Sequence, residues 1–89
     1  MGGSSLDVRF GARRVFLVLG PAGDHPGRVR VLLDGRPIPA ERAGDDVHGG
    51  VVTVRRQRLY RLVSLPRVEH RLLTLRFEPG VSGYAFTFG

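Results

Sequence analysis

Apolar residues recur at every second position in short runs separated by glycine and proline, and this alternation limits the possible folds more than any other feature. Leu6, Val8 and Phe10 interleave with Asp7 and Arg9, while Val29, Val31 and Leu33 interleave with Arg28, Arg30 and Leu32. A two-residue period puts one set of side chains on one face of a strand. No stretch keeps apolar residues at i, i+3, i+4 and i+7 long enough for a helix. The fold class expected is all-β, an antiparallel β-sandwich or jelly roll.

The breaks between runs set the order of strands. Val15 to Leu19 is apolar on both faces, as in a central strand, and is followed by the break Gly20 to Gly27. Asp34-Gly35 marks a tight hairpin, since both positions tolerate positive φ. Arg36 to Pro39 is extended but not central, because neither proline donates to a ladder. Ala40 to Gly50 reads as the longest irregular stretch. Further strands are expected at Val51 to Arg55, Gln57 to Val63, His70 to Phe77 and Tyr84 to Phe88, with breaks at Ser64-Leu65-Pro66 and Glu78-Pro79-Gly80. The inward faces predict a core of Leu6, Val8, Phe10, Val15, Leu17, Leu19, Val29, Val31, Leu33, Val52, Val54, Tyr60, Leu62, Leu73, Leu75, Phe77, Tyr84, Phe86 and Phe88. Residues 1–5 read as a flexible terminus or tag remnant, and residues 6–89 as one domain.

With 89 residues the chain holds one small core. No apolar run reaches the roughly 20 residues that span a bilayer, and no secretory leader pattern opens the sequence, so the chain as given is expected to be soluble. Cysteine is absent, which excludes a disulfide framework, a thiolate nucleophile and Cys-ligated zinc. The net charge is +6 and every one of the 14 basic residues is arginine. They are scattered except for Arg55, Arg56, Arg58 and Arg61. That cluster, with Tyr60 and Tyr84 as the only tyrosines, is the candidate surface for a ligand or partner. It suits phosphate, an anionic glycan or a partner's acidic face, and equally a charged strand edge that resists aggregation.

Catalysis and cofactor binding find little support. His25, His48 and His70 lie far apart, and neither Asp24 nor the Asp45-Asp46 pair completes a metal-ligand spacing. None of Ser4, Ser5, Ser64 and Ser82 sits in a nucleophile motif. No enzyme activity, cofactor or metal is expected. With no tryptophan and few rings at outward positions, the composition argues against single-stranded nucleic acid and weakens a sugar-stacking surface.

The runs Leu59 to Val63, His70 to Val81 and Tyr84-Ala85-Phe86-Thr87-Phe88-Gly89 resemble the end of the C-terminal β domain of DipZ-like thioredoxin-family proteins. Ala12 to Gly20 and Val29 to Gly35 resemble its earlier strands, in the same order. The resemblance implies a jelly-roll accessory module similar to carbohydrate-binding modules, which follows a thioredoxin-like domain carrying Cys-x-x-Cys. The redox centre, its cysteines and the Trp-containing segment that usually opens the β domain have no counterpart in this sequence. A sandwich short of an N-terminal strand is therefore implied, with an exposed strand edge open to self-pairing. The implied role is a non-catalytic binding or interaction domain that serves a thioredoxin-like redox partner in an extracytoplasmic setting. The alternatives are a carbohydrate-binding module and an arginine-rich binder of polyanion or nucleic acid.

Overall fold

A computed structural model describes residues 4–21, 23 and 25–89; Asp24 and residues 1–3 of the expected flexible terminus lie outside the described residues. Seven strands follow in order: β1 (Ser5–Gly20), β2 (Gly27–Leu33), β3 (Arg36–Pro37), β4 (Val47–His48), β5 (Val51–Val54), β6 (Arg58–Phe77) and β7 (Ser82–Phe88). They form one antiparallel sheet in the order β4-β5-β2-β6-β1-β7, with β3 paired beside β2. Ser5 already pairs with Arg76, and the Ser4 carbonyl accepts the Phe77 N–H.

The two long strands turn one sheet into two layers. Where alternation predicts separate strands, β1 runs through Gly11 to Arg14, and β6 runs through Ser64-Leu65-Pro66. Continuity there is possible because the β1/β6 register shifts between Ala12 and Arg14 and again between Val15 and Phe16. Across the first shift Ala12 pairs with Glu69 and Arg14 with Ser64, so residues 65–68 bulge out opposite Arg13. Pro66 sits where no ladder N–H is required. The shifts also reverse which parity points inward. Buried positions change from Phe10 and Ala12 to Val15, Leu17 and Leu19 along β1, and from Tyr60 and Leu62 to Val63 and Leu65 along β6. A bulge re-aims side chains by one position, and here it keeps the apolar face toward the core through the bend.

The first half of β1 and the second half of β6 thus share a layer with β2 and β5, and the remaining halves share the other with β7. Phe10 and Phe88 meet across the layers with ring centroids 6.3 Å apart. Asp34 and Gly35 take φ values of 53° and 83°, closing the β2–β3 hairpin as Asp-Gly predicts. The stretch from Ala40 to Gly50 is more ordered than expected, holding a 3-10 turn at Ala40–Arg42 as well as β4.

Most of the predicted core is buried, but one side stands open. Leu6, Tyr84 and Phe88 are 42%, 59% and 46% exposed, and Val8, Phe77 and Phe86 are half-buried. Their side chains share the inward face, yet among the described residues no strand lies beyond β7 or beyond residues 5–11 of β1 to cover them. Period-two reading identifies the face and is blind to the missing neighbour. The core instead gains Ala12, Ile38, Val47, Val63, Leu65 and Val81 from bulges and loops.

Candidate functional site

A groove of about 1310 Å³ is lined by Arg28, Arg30, Arg55, Arg56, Arg58 and Arg76. Strand geometry supplies three of them. Arg28 and Arg30 lie two positions apart on β2, on one face and about 7 Å apart along the strand. Arg76 on β6 is directly opposite Arg30. Like charges directly opposed across a ladder destabilise it, so the sheet bears a cost to hold this pair. The turn between β5 and β6 supplies Arg55 and Arg56, and the start of β6 supplies Arg58.

That turn is fixed by Tyr60. The Tyr60 hydroxyl donates to the Arg56 carbonyl at 2.8 Å and accepts the Arg55 N–H at 3.3 Å. The ring is only 1% exposed and lies beneath Arg58, whose guanidinium carbon is 3.9 Å from the ring centroid. Tyr60 is therefore the support of the turn, and the sequence-derived candidate ring is not on the surface. Arg58 is also committed. It donates to Asp46 at 2.8 Å and to the Leu59 carbonyl at 2.8 Å.

The carboxylates lining the groove are occupied as well. Asp46 accepts the Arg61 backbone N–H at 2.7 Å in addition to Arg58, and these bonds hold its carboxyl below the usual range. Glu78 accepts the Arg28 backbone N–H at 2.7 Å. Among the described residues, the guanidinium groups of Arg28, Arg30, Arg55, Arg56 and Arg76 enter no ion pair. Five such cations lining one groove, with His48 and Thr53 on its wall, make a positive trough whose forked donors match carboxylate, sulfate or phosphate.

The remaining sequence-derived candidates lie elsewhere. Arg61 turns away from the groove and pairs with Asp45 at 3.0 Å beside a separate, smaller depression. Tyr84 borders an apolar cleft of about 420 Å³ together with Leu6, Leu17, Phe77 and Phe86. Of the six, the groove unites Arg55, Arg56, Arg58 and, as its buried floor, Tyr60. Arg28 and Arg30 announce a shared face by their spacing, whereas Arg76 joins them only through the β2/β6 register, which no local pattern carries. Among the described residues no three His, Asp or Glu side chains converge on a point that would hold a metal ion.

A family model described as the thioredoxin-like C-terminal domain matches residues 1–89, the whole chain. The chain belongs to this family. Members of the thioredoxin-like C-terminal domain family are accessory domains, in keeping with the resemblance carried by the last strands. No curated protein matches the sequence. The domain is similar in structure to a family two carbohydrate esterase from Clostridium thermocellum, solved in complex with cellohexaose, with a TM-score of 0.72 and 21% identity over 99% of this chain. An active-site mutant of such an esterase gives a TM-score of 0.71 at the same identity and coverage. In both cases the match covers 25% of the esterase chain, so the thioredoxin-like C-terminal domain spans about a quarter of that length. At this identity the likeness is one of fold. No helix among the described residues is long and apolar enough to cross a membrane.

Proposed function

We propose that this domain is a non-catalytic binding module that seats an anionic glycan in the arginine groove and so gives a DipZ-like redox partner its substrate or cell-envelope contact. The observation that carries this reading is the gathering on one open groove of five guanidinium groups that have no ion pair among the described residues. An unpaired guanidinium cluster repels itself, and a ligand bearing regularly spaced carboxylates or sulfates relieves that repulsion through paired N–H···O bonds. Single-stranded nucleic acid fits less well, since its affinity draws on stacked rings and the groove's tyrosine is buried under Arg58. A second reading has one observation in its favour: Tyr84 is exposed beside the apolar cleft, and rings in that setting stack on neutral sugars.

Titration calorimetry with polygalacturonate, cellohexaose and a single-stranded oligonucleotide distinguishes these readings. The proposal expects the acidic glycan to bind, with affinity falling steeply as salt rises. Cellohexaose binding that is insensitive to salt and lost in Tyr84→Ala would transfer the function to the cleft. Preference for the oligonucleotide would reassign the groove to nucleic acid.

A further inference from the structure

The first half of β1 is an unpartnered edge with a pattern that complements itself. Its neighbour β6 lies on one side, while β7 pairs with β1 only from Val15 to Gly20, so residues 5–11 have no strand partner on the other side among the described residues. The Phe77 N–H donates to the Ser4 carbonyl at 2.7 Å, and Ser5 is paired with Arg76. In an antiparallel ladder this puts the even-numbered residues of the segment in hydrogen-bonded pairs with β6. The N–H and C=O groups of Ser5, Asp7, Arg9 and Gly11 therefore point outward.

We infer that this edge pairs antiparallel with the same edge of a second copy of the chain, around a two-fold axis at Val8, joining two layers into one continuous sheet. Three constraints select that register. Pairing must match outward-facing residues with outward-facing residues, which removes every register shifted by one and keeps the apolar faces aligned. Centring on Asp7 would set the two copies' Asp7 side chains against each other, and centring on Arg9 would do the same for two Arg9 side chains. Centring on Val8 puts Asp7 opposite the second copy's Arg9 and Arg9 opposite its Asp7, with Leu6 opposite Phe10 on the inward face. Both charges are exposed in this chain. Asp7 accepts the Thr74 hydroxyl with one oxygen at 2.8 Å, which leaves the other for the guanidinium. The 42% exposed Leu6 would then lie beside the Phe10 and Phe88 rings of the second copy. Edge strands commonly carry charge to prevent such pairing, but two opposite charges placed symmetrically about an apolar residue permit one register and penalise the others.

Sedimentation of three proteins and one equimolar mixture over a concentration series tests the inference. The parent should show a reversible monomer–dimer equilibrium. Arg9→Asp and Asp7→Arg should each weaken the dimer by about tenfold or more, because each converts two opposite-charge pairs into like-charge pairs. An equimolar mixture of Arg9→Asp and Asp7→Arg should recover the parent's association, since each variant then faces its complement. Arg9→Asp leaves the Thr74 bond intact, and unchanged thermal unfolding of that variant separates loss of pairing from loss of fold. A parent that remains monomeric throughout overturns the inference. So does a dimer indifferent to both substitutions, which would place the contact on the uncharged β7 edge.

Discussion

Tyr60 shows how one side chain serves both the core and the groove, since its buried ring fills space under Arg58 while its hydroxyl holds the backbone of the turn that carries Arg55 and Arg56. Tyr60→Phe keeps the ring and removes both hydroxyl bonds, so thermal unfolding should show a loss of about 1–2 kcal/mol with the fold retained. The acidic residues give a pH dependence of definite sign. Asp34 is held below its ordinary value chiefly by the Leu72 backbone N–H at 3.0 Å, helped by Arg71, and Asp46 chiefly by Arg58. A carboxylate with a depressed folded-state value stabilises the fold above its unfolded value of 3.8, and that contribution is lost as pH falls through the lower folded-state values. Urea unfolding should therefore show stability declining below about pH 4. The decline should be shallower in Asp46→Asn, which is already weakened at neutral pH.

The loop before β4 and the strand β7 illustrate opposite roles for the elements around the sheet. Gly44 packs on the Arg61 carbonyl so closely that a Cβ there would collide with backbone, and its N–H donates to the Leu62 carbonyl at 3.0 Å. Gly44→Ala should displace the loop, pull Asp46 from Arg58 and cost about 1–3 kcal/mol, measured by denaturant unfolding. In β7 the cost of truncation should follow the observed exposure. Phe86→Ala, half-buried beside Phe88 with centroids 5.9 Å apart, should lose about 2 kcal/mol, less than a fully buried ring. Tyr84→Ala should change stability by no more than about 0.5 kcal/mol. Alternation identified which residues of β7 share a face, and Asp34-Gly35 identified its turn, because both signals are local. Alternation reveals neither the bulges that fuse the predicted half-strands nor which edge stays uncovered, since each depends on what a distant strand does; the exposed edge is implied by the family resemblance alone. The same limit applies to the site: the Arg55 to Arg58 turn is visible in the sequence, while Arg76 reaches it through a register set some 46 residues away from Arg30.

At the scale of the whole molecule, a +6 chain distributes its charge unevenly. Arg58, Arg61 and Arg71 are neutralised by Asp46, Asp45, Asp34 and Glu69, and the groove gathers five of the arginines that, among the described residues, no carboxylate pairs. The fold supports this arrangement by bending one sheet into two layers, with the groove at the end where β2, β6 and the β5–β6 turn meet. The proposed glycan-binding role rests on the electrostatics that this scaffold positions. The most direct test is the salt dependence of polygalacturonate affinity, measured for the parent and for a variant carrying Arg28→Ala, Arg30→Ala and Arg76→Ala, with thermal unfolding recorded for both. Each guanidinium that displaces counterions contributes about one to the slope of log K against log salt, so the variant's slope should be shallower by about two to three. Its melting temperature should be unchanged or higher, because the opposed Arg30–Arg76 pair is gone. An unchanged slope in a folded variant would contradict the account and leave the arginine groove without a ligand.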